Sequence, residues 1–369
     1  MSNRKNTVDP ILLSLVGILV FGGFLVFSSA SLGLLARDGA SFSSVAFSQF
    51  FFGIVGGCIA MFLTSNLHYR HWRKYAFYIF LGSCIISLLV FIPALGFSHG
   101  GATRWVAIAG FTFQPAELLK LGFVIYMATW LSGVHKKIST IKHGTLPFLG
   151  LLAIPAAILL AQPDTDNFLI MAVAATAMFL TAGGRWRDIV ALFFTAVLLL
   201  VILAFSRDYI MDRFTAFLDP SIDPQGSSYQ IRQSLIAIGS GGVTGRGFGQ
   251  SIQKFEYLPE PIGDSIFAVY AEEFGFIGVT ALITLLSIFT FRGYRVATEA
   301  RDLFGMLLVV GFMTLIVFQA FLNIASMLGM APISGIPLPF ISHGGTALLA
   351  TLAAVGIVLN VSKHRRVRR

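Results

Sequence analysis

Charge is what this chain has least of. Asp, Glu, Lys and Arg together supply 12% of its 369 residues, while apolar residues supply 56%. So few charges cannot clothe a water-facing surface, and a mean hydropathy of +0.81 agrees. Cysteine is nearly missing too. Cys58 and Cys84 each fall inside an apolar run, which reads as small core residues and argues against a disulfide or a thiolate metal site. Acids are outnumbered 17 to 26 by bases, for a net charge of +9. Those bases sit in short loops and at the C-terminus, which is how cytoplasmic loops of membrane proteins are marked, so no nucleic-acid partner is expected. The chain shows no internal repeat of the kind that builds many secondary transporters.

What the chain does have is about ten apolar runs of roughly spanning length. They lie near Ile11–Ser31, Val45–Thr64, Ala76–Leu95, Pro115–Leu131, Leu146–Ala161, Phe168–Ala182, Asp188–Phe205, Ser265–Phe291, Phe304–Leu328 and Gly345–Val361. The expected fold is an all-α integral membrane protein, a single polytopic domain over residues 1–369. It carries a large extracytoplasmic loop, 206–263, between spans seven and eight, and a basic cytoplasmic tail, 362–369. The first run reads as an uncleaved span, because it is long and nothing soluble follows it. An even number of spans puts both termini on one side. With the termini inside, the inner segments carry Arg4, Lys5, Arg70, Arg73, Lys74, Lys136, Lys137, Lys142, Arg185, Arg187, Arg292, Arg295, Arg301 and the tail. The short outer loops then carry only Arg37 and Arg104, which sets the termini as cytoplasmic.

Against this background the polar residues at span mouths stand out. Asp264 ends a loop punctuated by Pro259 and Pro261 and opens the eighth run, with Glu272 and Glu273 about two turns further in. Carboxylates placed so are costly to desolvate and mark functional sites by default. Glu117 and Lys120, three apart behind Pro115, share a helix face, and read either as a packing ion pair or as a working pair at the level of Asp264. Gln162-Pro163-Asp164-Thr165-Asp166-Asn167 reads as a loop and helix cap, with a direct role for Asp164, and after it Asp166, as the alternative. Ser342 and His343 follow the irregular stretch Gly335–Pro339, a backbone tolerated near membrane depth only when buried or lining a cavity. His343 reads as a structural residue. The glycine-rich run Gly239–Gly249 resembles a phosphate cradle without the Gly-Lys-Ser/Thr ending of a Walker loop, and Arg232, Arg246 and Lys254 add positive charge near it.

Taken in order, these segments resemble the SEDS family of polytopic cell-wall polymerases, over nearly the whole chain. The resemblance rests on Arg104-Trp105 with Phe113-Gln114-Pro115-Ala116-Glu117-Leu118-Leu119-Lys120, on Gln162-Pro163-Asp164, and on Arg213-Phe214 with Phe217-Leu218-Asp219-Pro220. It continues through Tyr229–Ser234, Ile236–Gly242, Leu258-Pro259-Glu260, Asp264, Ala271-Glu272-Glu273 and Pro337–Pro339 with Ser342 and Gly344-Gly345. Gln253–Glu260 is more similar to the division-type FtsW branch than to the elongation-type RodA branch. Departures are Ile262-Gly263 where His-Thr is usual, Ser265 where Phe is common, Thr165-Asp166-Asn167 for Leu-Gly-Thr, and His343 for Tyr.

The resemblance implies a glycosyltransferase that polymerises lipid II into β-1,4 glycan on the outer face of the bacterial cytoplasmic membrane, for septal wall synthesis. Asp264 would be the general base. Arg104 and Lys120 would offset pyrophosphate charge, joined by a divalent cation (Mg or Mn), with Glu117 holding Lys120. Asp164, Arg232, Lys254, Glu272 and Ser342 would support substrate. Implied partners are lipid II, the nascent glycan, membrane lipid, a class B penicillin-binding transpeptidase and other divisome proteins. Two other readings stay open: a lipid II flippase, and a non-enzymatic divisome scaffold.

Overall fold

The computed structural model describes residues 7–37, 45–99, 102–108, 111–191, 193–194, 211, 215, 217–219 and 228–365. Among them, eight helices are long and apolar enough to cross a membrane, and a further apolar helix, Thr165–Thr181, is shorter. The expected seventh span, Asp188–Phe205, and the first part of the loop 206–263 lie largely outside the described residues, as do residues 366–369 of the tail. The helices are α1 (Pro10–Arg37), α2 (Val45–Asn66), α3 (Arg70–Leu88), α4 (Pro115–Val134), α5 (Leu146–Ala161), α6 (Thr165–Thr181), α7 (Tyr229–Ser240), α8 (Ile266–Thr298), α9 (Leu303–Met327) and α10 (Gly345–Lys363). Several outrun the apolar windows read from sequence. α3 begins at Arg70 and not near Ala76, because a helix continues into the polar interface where hydropathy no longer reports it.

α9 and α10 form the centre: 78% and 89% of their apolar windows are buried, against 17% for α2 and α8. Lipid gives no hydrophobic drive for helices to associate, so close approach and interhelical hydrogen bonds must serve. At the α2–α10 contact a Cβ on Gly356 would lie 2.0 Å from Thr64 Oγ1, so glycine is what lets the two helices touch. Thr64 in turn donates to the Ala353 carbonyl at 3.0 Å. α3 packs on α4, α6 and α4 on α9, and α1 on α8.

One end of the bundle collects both described chain ends. Asp9, just ahead of α1, pairs with Arg292 (2.7 Å) and with Arg365, and its backbone N–H donates to Ser362 Oγ at 2.9 Å. Burial alone would raise the Asp9 carboxyl, but its bonds to Arg292, the Leu12 N–H and Arg365 hold it below the usual carboxylate range. Asp302 caps α9 through the Gly305 N–H and accepts from Tyr69 and Arg70. The α1 start, the α2–α3 turn, the α8–α9 turn and the end of α10 therefore meet on one level, the level that carries most of the basic loops.

The opposite end holds a feature no sequence pattern announced. Between α3 and α4 the chain forms an antiparallel three-stranded meander, β1 (Gly96–His99), β2 (Ala102–Ile108) and β3 (Phe111–Phe113). β2 carries Arg104 and sets it against the α5–α6 turn.

Candidate active site

Asp264 reaches its position through a coiled turn. Glu260 takes the left-handed region (φ 46°), and its carbonyl accepts from the N–H groups of Gly263 (3.1 Å) and Ser265 (3.2 Å). A non-glycine residue there is strained, and strain of this sort gathers at functional sites. The turn is fixed from three sides. Ser342 Oγ donates to the Gly263 carbonyl (2.7 Å) and accepts from the Leu338 N–H (2.7 Å); the His343 N–H donates to the Ile262 carbonyl (2.7 Å). Asn323 Nδ2, on α9, donates to the carbonyls of both Asp264 and Ile336 (2.8 Å each). Gln230 Nε2, at the start of α7, donates to Ser265 Oγ at 3.0 Å. The Asp264 side chain is left half-buried at the mouth of α8.

Gly335 marks what the carboxylate faces. A Cβ placed on it would lie 3.6 Å from Asp264 Oδ2 and 3.6 Å from Arg104 Nη1, so the carboxylate and the guanidinium flank one point of backbone. The Gly335 N–H donates to Asp166 Oδ2 at 3.2 Å. Arg104 Nη2 donates to the Pro163 carbonyl, and its buried Nε has no partner among the described residues. Asp164, next in the chain, is 1% exposed and accepts from Asn167 Nδ2 (2.9 Å) and Gln114 Nε2 (3.5 Å). Burial pushes the Asp164 carboxyl above the usual range, opposed by the Arg104 charge and the Asn167 bond. Asp164 sits at the cap position of α6 but makes no side-chain cap bond; its oxygen goes to Asn167 instead.

Lys120 lies beneath this layer. Its Nζ donates to Glu117 Oε1 (2.8 Å) and to Gln319 Oε1 (3.0 Å), and both members of the ion pair are about 5% exposed or less. Gln319 Nε2 donates to the Pro337 carbonyl at 2.9 Å. Lys120 thus supports the 335–338 segment from below, and its charge is felt at Asp164. Asp264, Arg104, Asp164, Glu117, Lys120 and Ser342 therefore belong to one connected end of the molecule. Asp166, the weaker candidate beside Asp164, joins them, as do Gln319, Asn323 and Gly335, which had not been singled out. Gln319 and Asn323 are polar, four apart within an apolar span, a spacing that shares a helix face and was legible as such.

Lys254 and Glu272 are not part of it. They lie in a separate buried clasp further along α8. Glu272 accepts from Ser251 Oγ (2.6 Å) and the Ile252 N–H (3.0 Å) and forms an ion pair with Arg246, whose Nε lies 3.4 Å away. Glu273 accepts from Ser29 Oγ (2.6 Å) and from Lys254 Nζ (2.8 Å), which also donates to the Gly249 carbonyl (2.9 Å). The glycine-rich run cradles no phosphate in this arrangement: it packs into a break in α8 at Gly275 (φ 62°). There the N–H groups of Arg246 and Gly247 donate to the carbonyls of Glu272 and Glu273 (3.0 Å each), and a Cβ on Gly245 would lie 2.1 Å from the Glu273 carbonyl. Arg232 stands exposed on α7, two residues beyond Gln230.

Fold and site together define a polytopic membrane protein with a polar, half-open site at one membrane face. Comparison with known proteins narrows the class. The Cell cycle protein family of FtsW, RodA and SpoVE matches residues 10–367. A probable peptidoglycan glycosyltransferase FtsW of Geobacter metallireducens is 41% identical over 96% of this chain and 94% of its own length. Stage V sporulation protein E of Bacillus subtilis is 37% identical over 99% and 100%. Among solved structures, a chain from a peptidoglycan synthase complex that coordinates polymerization and crosslinking superposes with a TM-score of 0.80, at 27% identity over 96% of this chain and 97% of that one. The rod shape determining protein RodA of Thermus thermophilus superposes with a TM-score of 0.71, at 28% identity over 98% of each. The chain belongs to the FtsW/RodA/SpoVE family.

Proposed function

We propose that this protein is a septal peptidoglycan glycosyltransferase that polymerises lipid II at the outer face of the cytoplasmic membrane, with Asp264 as general base. The observation that carries the site assignment is the Gly335 point, flanked at 3.6 Å by the Asp264 carboxylate and the Arg104 guanidinium. A hydroxyl nucleophile needs a base within hydrogen-bond reach, and a departing pyrophosphate needs a cation. In the reaction, Asp264 accepts the proton of the acceptor C4 hydroxyl as its oxygen attacks the anomeric carbon of the donor. The bond from that carbon to the polyprenyl pyrophosphate breaks, and attack opposite an α-linked leaving group gives the β-1,4 bond. Arg104 faces the charge that develops on the leaving group, while Lys120 adds a field from below and holds the floor through Gln319.

The described residues do not bring three Asp, Glu, His or Cys side chains together as a metal cage. A magnesium ion arriving with a pyrophosphate would need only one or two protein carboxylates. We expect the Asp9–Arg292–Arg365 end in the cytoplasm and the Asp264 end outside, an orientation that the distribution of basic loops supports. The partner we expect is a class B penicillin-binding transpeptidase, supported by the likeness to a chain of a peptidoglycan synthase complex.

The deciding experiment is glycan synthesis by the purified protein given lipid II, with and without the cognate transpeptidase. Lipid II translocation with no glycan from any combination replaces this reading with the flippase. Orientation is checked with single cysteines in a background lacking Cys58 and Cys84. Positions Arg70 and Val243, both exposed, should label from opposite sides with an impermeant reagent. Ser362 is unsuitable for this, being buried against Asp9.

A further inference from the structure

Three buried polar residues, Gln319, Asn323 and Ser326, interrupt the last turns of α9. Spacings of four and three put them on one face of that helix. Polar groups inside a span are costly, and what they bond explains their presence. All three reach the same irregular segment. Gln319 Nε2 donates to the Pro337 carbonyl (2.9 Å), Asn323 Nδ2 to the Ile336 carbonyl (2.8 Å), and Ser326 Oγ lies 3.2 Å from Ser334 Oγ. The strap 334–337 is thus laid along α9 rung by rung. Gly335, which the Asp264 carboxylate and the Arg104 guanidinium flank, is part of that strap.

Asn323 differs from the other two rungs because the same nitrogen also donates to the Asp264 carbonyl, at 2.8 Å. Both of its partners are carbonyl oxygens, which only accept, so one atom must bring two protons. An amide nitrogen does this; a hydroxyl brings one and a carboxylate none. The carbonyls of Ile262 and Gly263, just ahead of Asp264, are taken by His343 and Ser342 in a loop. That of Asp264 is held from a helix, and groups placed by helices are held more precisely than groups placed by loops. α9 is also among the most buried helices, and Asp302 caps its far end.

We infer that Asn323 is a positioning residue for Asp264: its amide nitrogen sets the Asp264 turn against the 334–337 strap, and so fixes the carboxylate relative to Gly335 and Arg104. The inference rests on the reading of Asp264 as the base of the polymerase reaction. Lys120 and Gln319 support the strap alone, whereas Asn323 ties strap and base together, and it does so without touching substrate. Proton transfer needs the base within hydrogen-bond reach of the acceptor hydroxyl. A misplacement of about 1 Å can cost on the order of a hundredfold in rate. Substrate binding draws on other groups, so losing this tie falls on kcat and spares KM.

The test is glycan synthesis from lipid II by the purified full-length protein with its transpeptidase, read as kcat and KM. Asn323→Leu, similar in size but with no donor, should lower kcat by about tenfold to a hundredfold and leave KM within about twofold. Ser326→Ala should match wild type in both, since its bond to Ser334 joins two side chains and holds no carbonyl of the strap. In an Asp264→Asn background, Asn323→Leu should add no further loss, because a residue that acts through the base has nothing left to place. Four results overturn the inference while the polymerase reading stands: a normal kcat in folded Asn323→Leu, a raised KM with kcat held, an equal kcat loss in Ser326→Ala, or additive losses with Asp264→Asn. If Asn323→Leu fails to fold, Asn323→Ser decides: its one hydroxyl proton serves at most one carbonyl, so kcat should still fall with KM kept. Where Asp264→Asn is too slow to compare, the split of kcat against KM in Asn323→Leu and Ser326→Ala decides. A wild-type protein that makes no glycan with any transpeptidase removes the polymerase reading, and this inference with it.

Discussion

Acids lie both at the mouth of α8 and within it, and the environments that receive them are opposites. Glu272 and Glu273 enter a closed clasp in which Lys254, Arg246, Ser29, Ser251 and backbone N–H groups meet their oxygens, with Lys254 and Glu273 fully buried. Asp264, about 12 Å back along the helix at 1.5 Å per residue, sits in an end that is half-open. Buried polar atoms there, Arg104 Nε, Asn167 Oδ1 and Asn323 Oδ1, lack partners among the described residues. Both sets are ionisable groups in a membrane protein, and both qualify as functional by position alone. What separates them is their surroundings: the clasp closes over Glu272 and Glu273, while around Asp264 several neighbouring buried polar atoms have no partner among the described residues. A satisfied network specifies structure; an unanswered one awaits something from outside.

That contrast breaks most sharply on Asp264→Asn. Losing a general base typically costs about 10²–10⁴-fold, so glycan synthesis should fall by that order while the melting temperature in detergent holds near wild type. A folded Asp264→Asn protein that polymerises at a normal rate removes the catalytic assignment and makes Glu117 the next acid to examine.

The clasp should behave the other way round. Lys254→Met leaves Glu273 buried beside no cation, a loss of about 3–5 kcal/mol when one partner of a buried pair is removed. Thermal stability should drop clearly, with activity per folded molecule little changed. A stable Lys254→Met protein with lost turnover would move Lys254 into the reaction.

Gly335→Ala sharpens the comparison on the open side. The added methyl meets only ordinary contacts at 3.6 Å, so the protein should tolerate it. It stands between carboxylate and guanidinium, however, and a misplaced substrate there should slow polymerisation by about tenfold or more. Gly245→Ala, in the clasp, collides with backbone at 2.1 Å and should destabilise instead. Equal behaviour of the two alanines in activity and melting assays would erase the distinction.

The smallest expected effect concerns pH. His343 is stacked on Phe27, and burial holds its pKa down to about 4 from 6.5, with Glu260 opposing. The folded state therefore binds fewer protons than the unfolded state between these values. Stability is full above pH 6.5 and declines as the pH falls towards about 4. His343→Tyr should flatten the melting temperature across that window; an unchanged acid slope would assign it to other groups.

Much of this was legible in the residues. Long apolar runs declare spans because lipid demands them, and Asp264 was conspicuous as a carboxylate at a span mouth. The meander was not legible: its strands are short, and with Ser98, His99, Thr103 and Arg104 mixed among apolar residues they show neither a clear alternation nor a spanning run. Nor was the clasp, which joins Ser29 to Glu273 across 244 positions. No local spacing encodes such a pairing, so Lys254 and Glu272 looked like members of the Asp264 site. Gly335 escaped for another reason: a glycine has no side chain to advertise its part, and only its neighbours reveal it.

The Asp9 knot bears on how the protein is made. Asp9 enters the membrane with the first helix, yet the cations that neutralise it, Arg292 and Arg365, are translated only after most of the remaining chain. Until then the nascent protein carries a carboxylate with neither of its eventual partners, a standing mark of incompleteness. A chain that stalls or is truncated before Arg365 should keep that mark, and membrane proteases that survey unpaired charge would have a means of telling it from a finished molecule.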